Sequence, residues 1–259
     1  MQIHVLASGS SGNATLFKFD NANILVDAGI SARRIQNALS EIGTAVEDLD
    51  AILITHEHSD HISGLPTLMK KYHLPVYARP EAWRNMPSRR QLLPECCQNL
   101  YQSLDFNGVK VEAFNISHDA ADPVGYSFYE GDQKYSLATD LGSVTDTVKK
   151  ALAQSNALVL ETNHDLDMLR GGPYPWHLKR RILSNRGHLS NEDAGKTLAC
   201  LDSRNECQVF LAHISKENNR QELAESTVAG ILRERGLTIG EDITLHVTFP
   251  DTIVSWRAE

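Results

Sequence analysis

The chain has 259 residues, of which 41% are hydrophobic and 22% charged, and this balance is ordinary for a globular protein with a substantial core. Its formal net charge of −8 argues against indiscriminate binding to polyanions, although it leaves room for local basic surfaces. The first residues, MQIHVLASGSSGN, lack the basic and apolar regions of a signal peptide, and no apolar run reaches the length of a membrane span. We therefore expect a cytoplasmic protein without a membrane segment.

The first half of the chain predicts strands followed by helices. Runs rich in branched and aromatic residues, separated by Gly, Ser and Asn turns, predict strands over 3–7, 14–19, 23–28 and 50–56. Helical spacing covers 31–42, with Ser31 as the N-cap and Gly43 as the stop, and a second helix is predicted over 64–73. Residues 80–104 contain three prolines and are expected to be irregular.

Strands and helices alternate in the second half. Strands are predicted over 109–114, 124–130, 134–140, 157–162, 208–213 and 243–248. Helices are predicted over 145–155, 175–184, 190–202 and 218–235. Two sheets packed together with helices outside would bury such runs. Because no linker, composition break or repeat interrupts the chain, we expect one α/β domain over residues 1–259.

The stretch ITHEHSDHISG, residues 54–64, predicts a metal site. His56 and His58 lie at positions i and i+2 just past a buried strand, where extended backbone points both imidazoles to the same side. Asp60 and His61 follow at a turn into a helix. Imidazole and carboxylate ligands suit zinc, manganese or iron, whereas the alternative is a solvated polar loop. Glu57 alternates away from the first pair, so we expect it behind the ligands or facing solvent.

This H-x-H-x-D-H pattern resembles the signature of the metallo-β-lactamase superfamily. The other elements of that family's pattern follow in order across most of the chain, at Asp27 in ILVDAG, His118 in NISHDA, Asp140 in LATDLG and His213 in FLAHIS. The resemblance implies the metallo-β-lactamase fold, an αββα sandwich of two mixed β-sheets flanked by helices. Taken singly, the later residues would be read as ordinary polar groups at strand ends or a helix cap.

The resemblance also implies two divalent metal ions, zinc or manganese, with iron as a further candidate. One ion would be held by three histidines, His56, His58 and His118. The other would be held by Asp60, His61 and His213, with Asp140 bridging the two. Asp27 would orient the histidines from behind. A metal-bridging hydroxide would then attack phosphorus, with Asp60 accepting or positioning its proton.

Two further residues are similar to the tRNA-processing branch of the superfamily. Glu161 directly follows a predicted strand, and His188 precedes a predicted helix in NRGHLSNEDA. In that branch a glutamate and a histidine in this order cooperate, and the histidine protonates the leaving oxygen. A carboxylate raises the pKa of an adjacent imidazole, which favours the acid form. The alternative is a surface histidine beside a helix capped by Ser190 and Asp193.

The likeness narrows to the YycJ/WalJ group, small bacterial members of the superfamily. It rests on LASGSSGN, THEHSDHISGL, TDLG, ETNHD, GGPYPWHLKRRI, GHLSNEDA and LAHISKENN, which together span nearly the whole chain. The group's proposed activity is a 5′-to-3′ exonuclease on DNA. A basic run before His188 would grip phosphates, or would be the polar face of a packed helix; its residues are Lys179, Arg180, Arg181 and Arg186.

We therefore expect a dinuclear metal-dependent phosphodiesterase acting on nucleic acid, in which Asp60, His188 and Glu161 are the catalytic residues. The enzymatic alternative is a thioester, lactone or small phosphodiester hydrolase that uses the same metals. A non-catalytic regulatory protein of the same fold is a third possibility. The sequence leaves open the native metal, the choice between DNA and RNA, the strand polarity and the oligomeric state.

Overall fold

The computed structural model describes residues 1–202 and 206–258. The chain divides into two compact units. Unit 1 comprises residues 1–113, 120–123 and 249–259, and unit 2 comprises residues 114–119 and 124–248. In the described residues, every helix is too short or too polar to cross a lipid bilayer.

The first half of the chain contains eight strands and four α-helices, besides three short 3-10 helices. The strands are β1 (Gln2–Ala7), β2 (Ala14–Lys18), β3 (Asn23–Val26), β4 (Ala51–Leu53), β5 (Val76–Ala78), β6 (Cys97–Asn99), β7 (Ser103–Phe106) and β8 (Val109–Asn115). The helices are α1 (Ala32–Glu41), α2 (Ser59–Ile62), α3 (Leu65–Tyr72) and α4 (Pro80–Asn85).

The second half contains the remaining elements of the described chain. The strands are β9 (Val124–Glu130), β10 (Gln133–Ala138), β11 (Ala157–Glu161), β12 (Cys207–Ala212), β13 (Ile243–Val247) and β14 (Val254–Arg257). The helices are α5 (Asp146–Leu152), α6 (Leu166–Gly171), α7 (Trp176–Ile182), α8 (Asn191–Cys200) and α9 (Gln221–Glu234).

Unit 1 is built on a mixed sheet with the strand order β14-β1-β2-β3-β4-β5-β6. The pairs from β14 to β3 are antiparallel, and those from β3 to β6 are parallel. Ser31 caps α1 by accepting a hydrogen bond from the Arg34 amide, and this helix buries Ile35 and Leu39 in the core of the unit. Parallel strands need helical crossovers, and α1 and α3 supply two of them.

Unit 2 contains five neighbouring strands in the order β13-β12-β11-β10-β9. The strands from β10 to β13 are parallel, and β9 pairs with β10 in the antiparallel sense. Every residue of β11 is buried, as expected for a central parallel strand covered on both faces. Its core also takes buried residues of α8 and α9, including Leu198, Val228 and Leu232.

Most predicted elements are confirmed, and the differences fall on short ones. Residues 80–104 are not wholly irregular, because they contain α4, β6 and the first residues of β7. The strands β5 and β14 and the helix α6 were also not predicted. The expected strand over 23–28 ends at Val26, because Asp27 adopts a left-handed backbone conformation with φ of 63°. The expectation of a single domain stays a prediction beside the two compact units.

Candidate metal centre

The first group of site residues in unit 1 lies where β3 and β4 end. Asp27 follows β3, and His56 follows β4 after a two-residue extension. His58 is the N-cap of the short helix α2, whose single turn carries Asp60 and His61. His56 Nε2 lies 3.1 Å from His58 Nδ1, so the strand-end spacing does bring these two imidazoles together.

The Asp27 carboxylate orients this group through hydrogen bonds. It accepts bonds from the Thr55 amide at 2.8 Å, from the Thr55 hydroxyl at 2.9 Å and from His61 Nδ1 at 2.7 Å. A proton on Nδ1 leaves the lone pair of His61 on Nε2, which also lies 3.2 Å from the Asn13 amide nitrogen. Carboxylates placed behind metal-binding histidines act in this way.

Two glycines allow the loops of unit 1 to approach one another closely. A Cβ on Gly29 would overlap the carbonyl group of Asp60, and a Cβ on Gly64 would overlap the carbonyl oxygen of Ile30. The contact is reinforced by backbone hydrogen bonds from Ala28 to His61 and from Gly64 to Ala28, each 2.8 Å long. The position of α2 therefore depends on having glycine, which lacks a side chain, at both positions.

The second group lies in unit 2, at one edge of its parallel strands. Asp140, Glu161 and His213 lie at or just past the carboxyl ends of β10, β11 and β12, which are neighbours in the sheet. Asp140 and His213 have φ values of 58° and 55°, as Asp27 has 63° in unit 1. Non-glycine residues rarely adopt this conformation, and such strain concentrates at functional sites.

Glu161 is the centre of the second group. The carboxylate is fully buried and accepts hydrogen bonds from His188 Nδ1 at 2.8 Å and His213 Nδ1 at 2.7 Å. Its second oxygen accepts bonds from the amides of Leu141 and Leu189. One carboxylate therefore orients two imidazoles and ties together the segments that carry Asp140 and His188.

The charge on Glu161 is set by these partners. Burial alone would raise its pKa, but the His188 imidazole and the hydrogen bonds from His188 and His213 outweigh burial and lower the pKa to about 2. Burial favours neutral His188, but the Glu161 carboxylate raises the pKa of this imidazole above its usual value. The predicted pairing of Glu161 with His188 is thus present, and it favours a protonated His188.

His118 has the opposite tendency. Burial lowers the pKa of His118, so that the neutral imidazole, the form that binds metals, is favoured. Its Nδ1 donates to the carbonyl oxygen of Gly187 at 3.1 Å, and its Nε2 lies 3.6 Å from Asp140 Oδ1. The Nε2 atom of His118 therefore lies on the side of Asp140.

The donor chemistry fits divalent metal ions. Asp140, Glu161, His188 and His213 each offer one atom that lies within 4.8 Å of the others. The donors are carboxylate oxygens and imidazole nitrogens, which suit zinc, manganese and iron. In each unit a buried carboxylate, Asp27 or Glu161, accepts a hydrogen bond from a histidine Nδ1, so that the lone pair of that ring lies on Nε2.

The structure decides between the two expectations for Glu57 and adds contacts that the sequence does not predict. Glu57 does not face solvent, because it is buried and accepts a hydrogen bond from the Ala121 amide at 2.8 Å. Asn13 and Thr55 contact His61 and were not predicted; only their positions in the GSSGN turn and before the H-x-H motif could have suggested them. The sequence likewise does not predict the hydrogen bond that His213 Nδ1 donates to Glu161.

The residues of the basic run have different surroundings. Lys179 is buried, and its ammonium group donates to the carbonyl oxygens of Arg170 and Gly172 at 2.7 Å each. Arg181 pairs with Asp119, and Arg186 donates to the carbonyl oxygen of His118. Arg180 is exposed on α7.

Comparison with known proteins assigns this arrangement to a family. Residues 22–214 match the family described as "Beta-lactamase superfamily domain". The crystal structure of the metallo-β-lactamase fold protein YhfI from Bacillus subtilis superposes with a TM-score of 0.73 at 15% identity, covering 99% of each chain. Human tRNase Z, short form, superposes with a TM-score of 0.65 at 18% identity, covering 98% of each chain. The chain belongs to the metallo-β-lactamase superfamily and has its fold.

Its place within the superfamily is given by its curated relatives. The chain is 42% identical over 253 residues to "Exodeoxyribonuclease YycJ" of Bacillus anthracis, covering 96% of each sequence. It is 40% identical over 253 residues to "Exodeoxyribonuclease WalJ" of Streptococcus pneumoniae, covering 96% of this chain and 94% of that protein. The chain is therefore a member of the YycJ/WalJ group.

Proposed function

We propose that the protein is a dinuclear metal-dependent phosphodiesterase that removes nucleotides from the 5′ end of DNA. The observation that carries this proposal is the hydrogen-bonded pair of Glu161 and His188 beside Asp140 and His213, a proton donor next to donors for a metal. Relatives of nearly the same length are named exodeoxyribonucleases, which supports DNA as the substrate. A proton donor of this kind serves a reaction whose leaving group is a poorly stabilised alkoxide.

The proposed metal ligands are the histidines and aspartates that match the family's motifs. They are His56, His58, Asp60, His61, His118, Asp140 and His213, and they would hold two ions, either zinc or manganese. Two divalent ions would lower the pKa of a water molecule and neutralise the charge of the phosphate group. The assignment of these residues as ligands is supported by the donor chemistry of each unit and by the order of the motifs along the chain.

Side chains of the protein would carry out the proton transfers. Asp60 would accept or position a proton of the attacking water. His188, held by Glu161 through Nδ1, would donate a proton from Nε2 to the departing oxygen. The His188 side chain retains 20% of its accessible surface, whereas Glu161 is fully buried, so His188 is the member of the pair that can reach a substrate.

The basic run would contact the phosphate backbone of the rest of the strand. Arg180 and Arg186 are exposed, and Arg181 shares its charge with Asp119. Lys179 contributes positive charge from a buried position that two carbonyl oxygens stabilise. We therefore expect Arg180→Ala to weaken DNA binding in a salt-dependent manner, since phosphate contacts release counterions.

The test of this function is the turnover of end-labelled single- and double-stranded DNA and RNA with zinc, manganese or iron. We expect metal-dependent release of nucleotides from the 5′ end of DNA and loss of this release in Asp60→Ala and His61→Ala. A thioester and a lactone should be included as competing substrate classes. Rapid thioester hydrolysis without nuclease activity would contradict the proposal, as would fewer than one tightly bound metal ion per chain.

A further inference from the structure

A cavity in unit 2 is lined in part by His188, and it extends beyond the residues of the proposed metal and proton chemistry. Its volume is about 440 Å³, within the range of small-molecule sites. One wall is a face of α8 that includes Asp193, Lys196 and Cys200, whose spacing repeats every three to four residues along the helix. Gly142, Ser143, Val144 and Lys149 also line the cavity.

The lining combines two lysines, the carboxylate of Asp193 and apolar surface. The lysines Lys149 and Lys196 are exposed at the cavity, and each has an acidic neighbour on its own helix, at 3.9 Å and 2.8 Å respectively. Three leucines and a valine supply the apolar part of the wall. Cationic groups suit a phosphate, and apolar groups suit the face of a base or a sugar.

His164 is an unexplained buried polar group in this cavity. The side chain is 1% exposed, and neither ring nitrogen has a hydrogen-bond partner in the described part of the chain. Burial lowers its pKa to about 4, so the imidazole is neutral and offers one donor and one acceptor. Buried polar groups normally have partners, and a polar ligand in the cavity would supply one to this imidazole.

The position of His188 fixes which part of a nucleic acid would lie here. In the proposed hydrolysis the oxygen of water bonds to phosphorus, the bond from phosphorus to the 3′ oxygen breaks, and that oxygen takes the proton from His188. The nucleotide that carries the departing 3′ oxygen therefore lies on the His188 side. In 5′-to-3′ digestion this nucleotide is the 5′-terminal one, and it leaves as a nucleoside 5′-monophosphate.

We propose that this cavity binds the 5′-terminal nucleotide of the DNA strand, with its 5′-phosphate at Lys149 and Lys196 and its base or sugar at His164. The inference rests on the proposed nuclease function and deepens it. A cavity that holds one nucleotide on the side of the departing 3′ oxygen would account for the release of single nucleotides from an end. It also favours an end over an internal phosphodiester bond.

Cys200 provides a direct test of occupancy that needs no catalysis. Cys200 is the exposed one among the four free cysteines, and it lines the cavity. The full-length protein is treated with iodoacetamide in EDTA, with and without deoxyadenosine 5′-monophosphate, and alkylation of Cys200 is followed by mass spectrometry. We expect the nucleotide to slow this alkylation at least about fivefold, since a bound ligand that fills the site excludes the reagent.

The control ligands decide between occupants. Deoxyadenosine, which lacks the phosphate, and inorganic phosphate should each protect Cys200 much less than the nucleotide does. Equal protection by inorganic phosphate would overturn the proposal in favour of a simple anion site. An alkylation rate that is unchanged by the nucleotide would overturn it entirely. If DNA is digested while Cys200 stays unprotected, this inference fails and the proposed function stands.

A matched pair of lysines extends the test to turnover. Lys149 and Lys150 are adjacent and exposed on α5, but only Lys149 lines the cavity. We expect Lys149→Glu to raise KM for 5′-phosphorylated DNA about tenfold, as expected for loss of a charge-assisted contact, with Lys150→Glu close to the unsubstituted protein. Equal effects of the two substitutions would contradict a specific phosphate contact. Protection of Cys200 in a protein that does not digest DNA would instead contradict the nuclease proposal alone.

Discussion

At the scale of single residues, Glu161 links two histidines that the sequence places far apart. It accepts hydrogen bonds from His188 and from His213, and it carries full negative charge because its pKa is lowered to about 2. The carboxylate raises the electron density on His213 Nε2 and fixes the orientation of both rings. A neutral amide would keep the shape of this group and lose the charge.

We therefore predict that Glu161→Gln weakens metal binding about 10- to 100-fold, the usual effect of removing a carboxylate behind a metal-binding histidine. Competition against a chromogenic chelator measures the affinity, and circular dichroism checks the fold. Glu130→Gln, at the end of β9, is the matched control and should bind metal like the unsubstituted protein. Unchanged affinity in Glu161→Gln would show that this carboxylate has no role at the metal centre.

His188 allows a separate prediction about the proton. If this imidazole protonates the departing oxygen, His188→Ala should lower kcat on DNA by about 10²- to 10⁴-fold. The loss should be far smaller on a nitrophenyl phosphodiester, because nitrophenolate leaves without a proton. Turnover of both substrates by the same preparation gives the ratio directly. Equal losses on the two substrates would assign His188 to metal binding or structure instead.

At the scale of elements, the position of α2 depends on the close approach of two loops. The backbone at Gly29 lies against Asp60, and no side chain fits between them. We predict that Gly29→Ala lowers the free energy of unfolding by about 1–3 kcal/mol, the cost of overpacking, and also lowers metal affinity. Urea denaturation measures the first effect and chelator competition the second.

Gly230 is the matched control because a Cβ there meets no atom within 4 Å and the residue lies in α9. Gly230→Ala should stabilise the protein by up to about 1 kcal/mol, since alanine is the better helix former. Equal stability changes at the two glycines would show that the loops of unit 1 can move apart freely. The fold would then not hold α2 at a fixed distance from Asp27.

The same elements show what the sequence can predict. The strands β1, β9 and β11 and the helix α9 have clear periodicity or continuous apolar runs, and they lie where the sequence predicts them. Strands of three residues, such as β5 and β6, carry too few positions for a period to be seen.

The sequence predicts only part of the candidate site, and the rest is missed for a similar reason. The ligand positions stay predictions that rest on a dense motif and on family likeness, whereas the structure places the predicted partners Glu161 and His188 in hydrogen-bond contact. The contacts of Asn13 with His61 and of Glu161 with His213 join residues 48 and 52 positions apart. Such contacts depend on the packing of whole elements, and local patterns do not carry that information.

At the scale of the whole molecule, buried histidines link stability to pH. His164 has a pKa of about 4 in the folded protein, compared with 6.5 for an ordinary histidine. Above pH 6.5 the residue is neutral in both states and its contribution to stability is complete. As the pH falls from 6.5 towards 4, only the unfolded chain takes up a proton at this position, so the free energy of unfolding decreases.

We predict that His164→Asn removes this part of the acid sensitivity. Between pH 7 and pH 4.5 the variant should lose about 2–3 kcal/mol less stability than the unsubstituted protein, a difference that follows from the 1.36 kcal/mol per unit of pKa shift. Urea denaturation at both pH values in EDTA gives, for each protein, the change in the free energy of unfolding between pH 7 and pH 4.5. Comparing these two changes cancels any difference in stability that the substitution itself causes at pH 7. His4, whose pKa is also lowered by burial, contributes equally to both proteins and cancels. The same acid dependence in variant and unsubstituted protein would mean that His164 becomes protonated in the folded state, with a neighbouring acid as its partner.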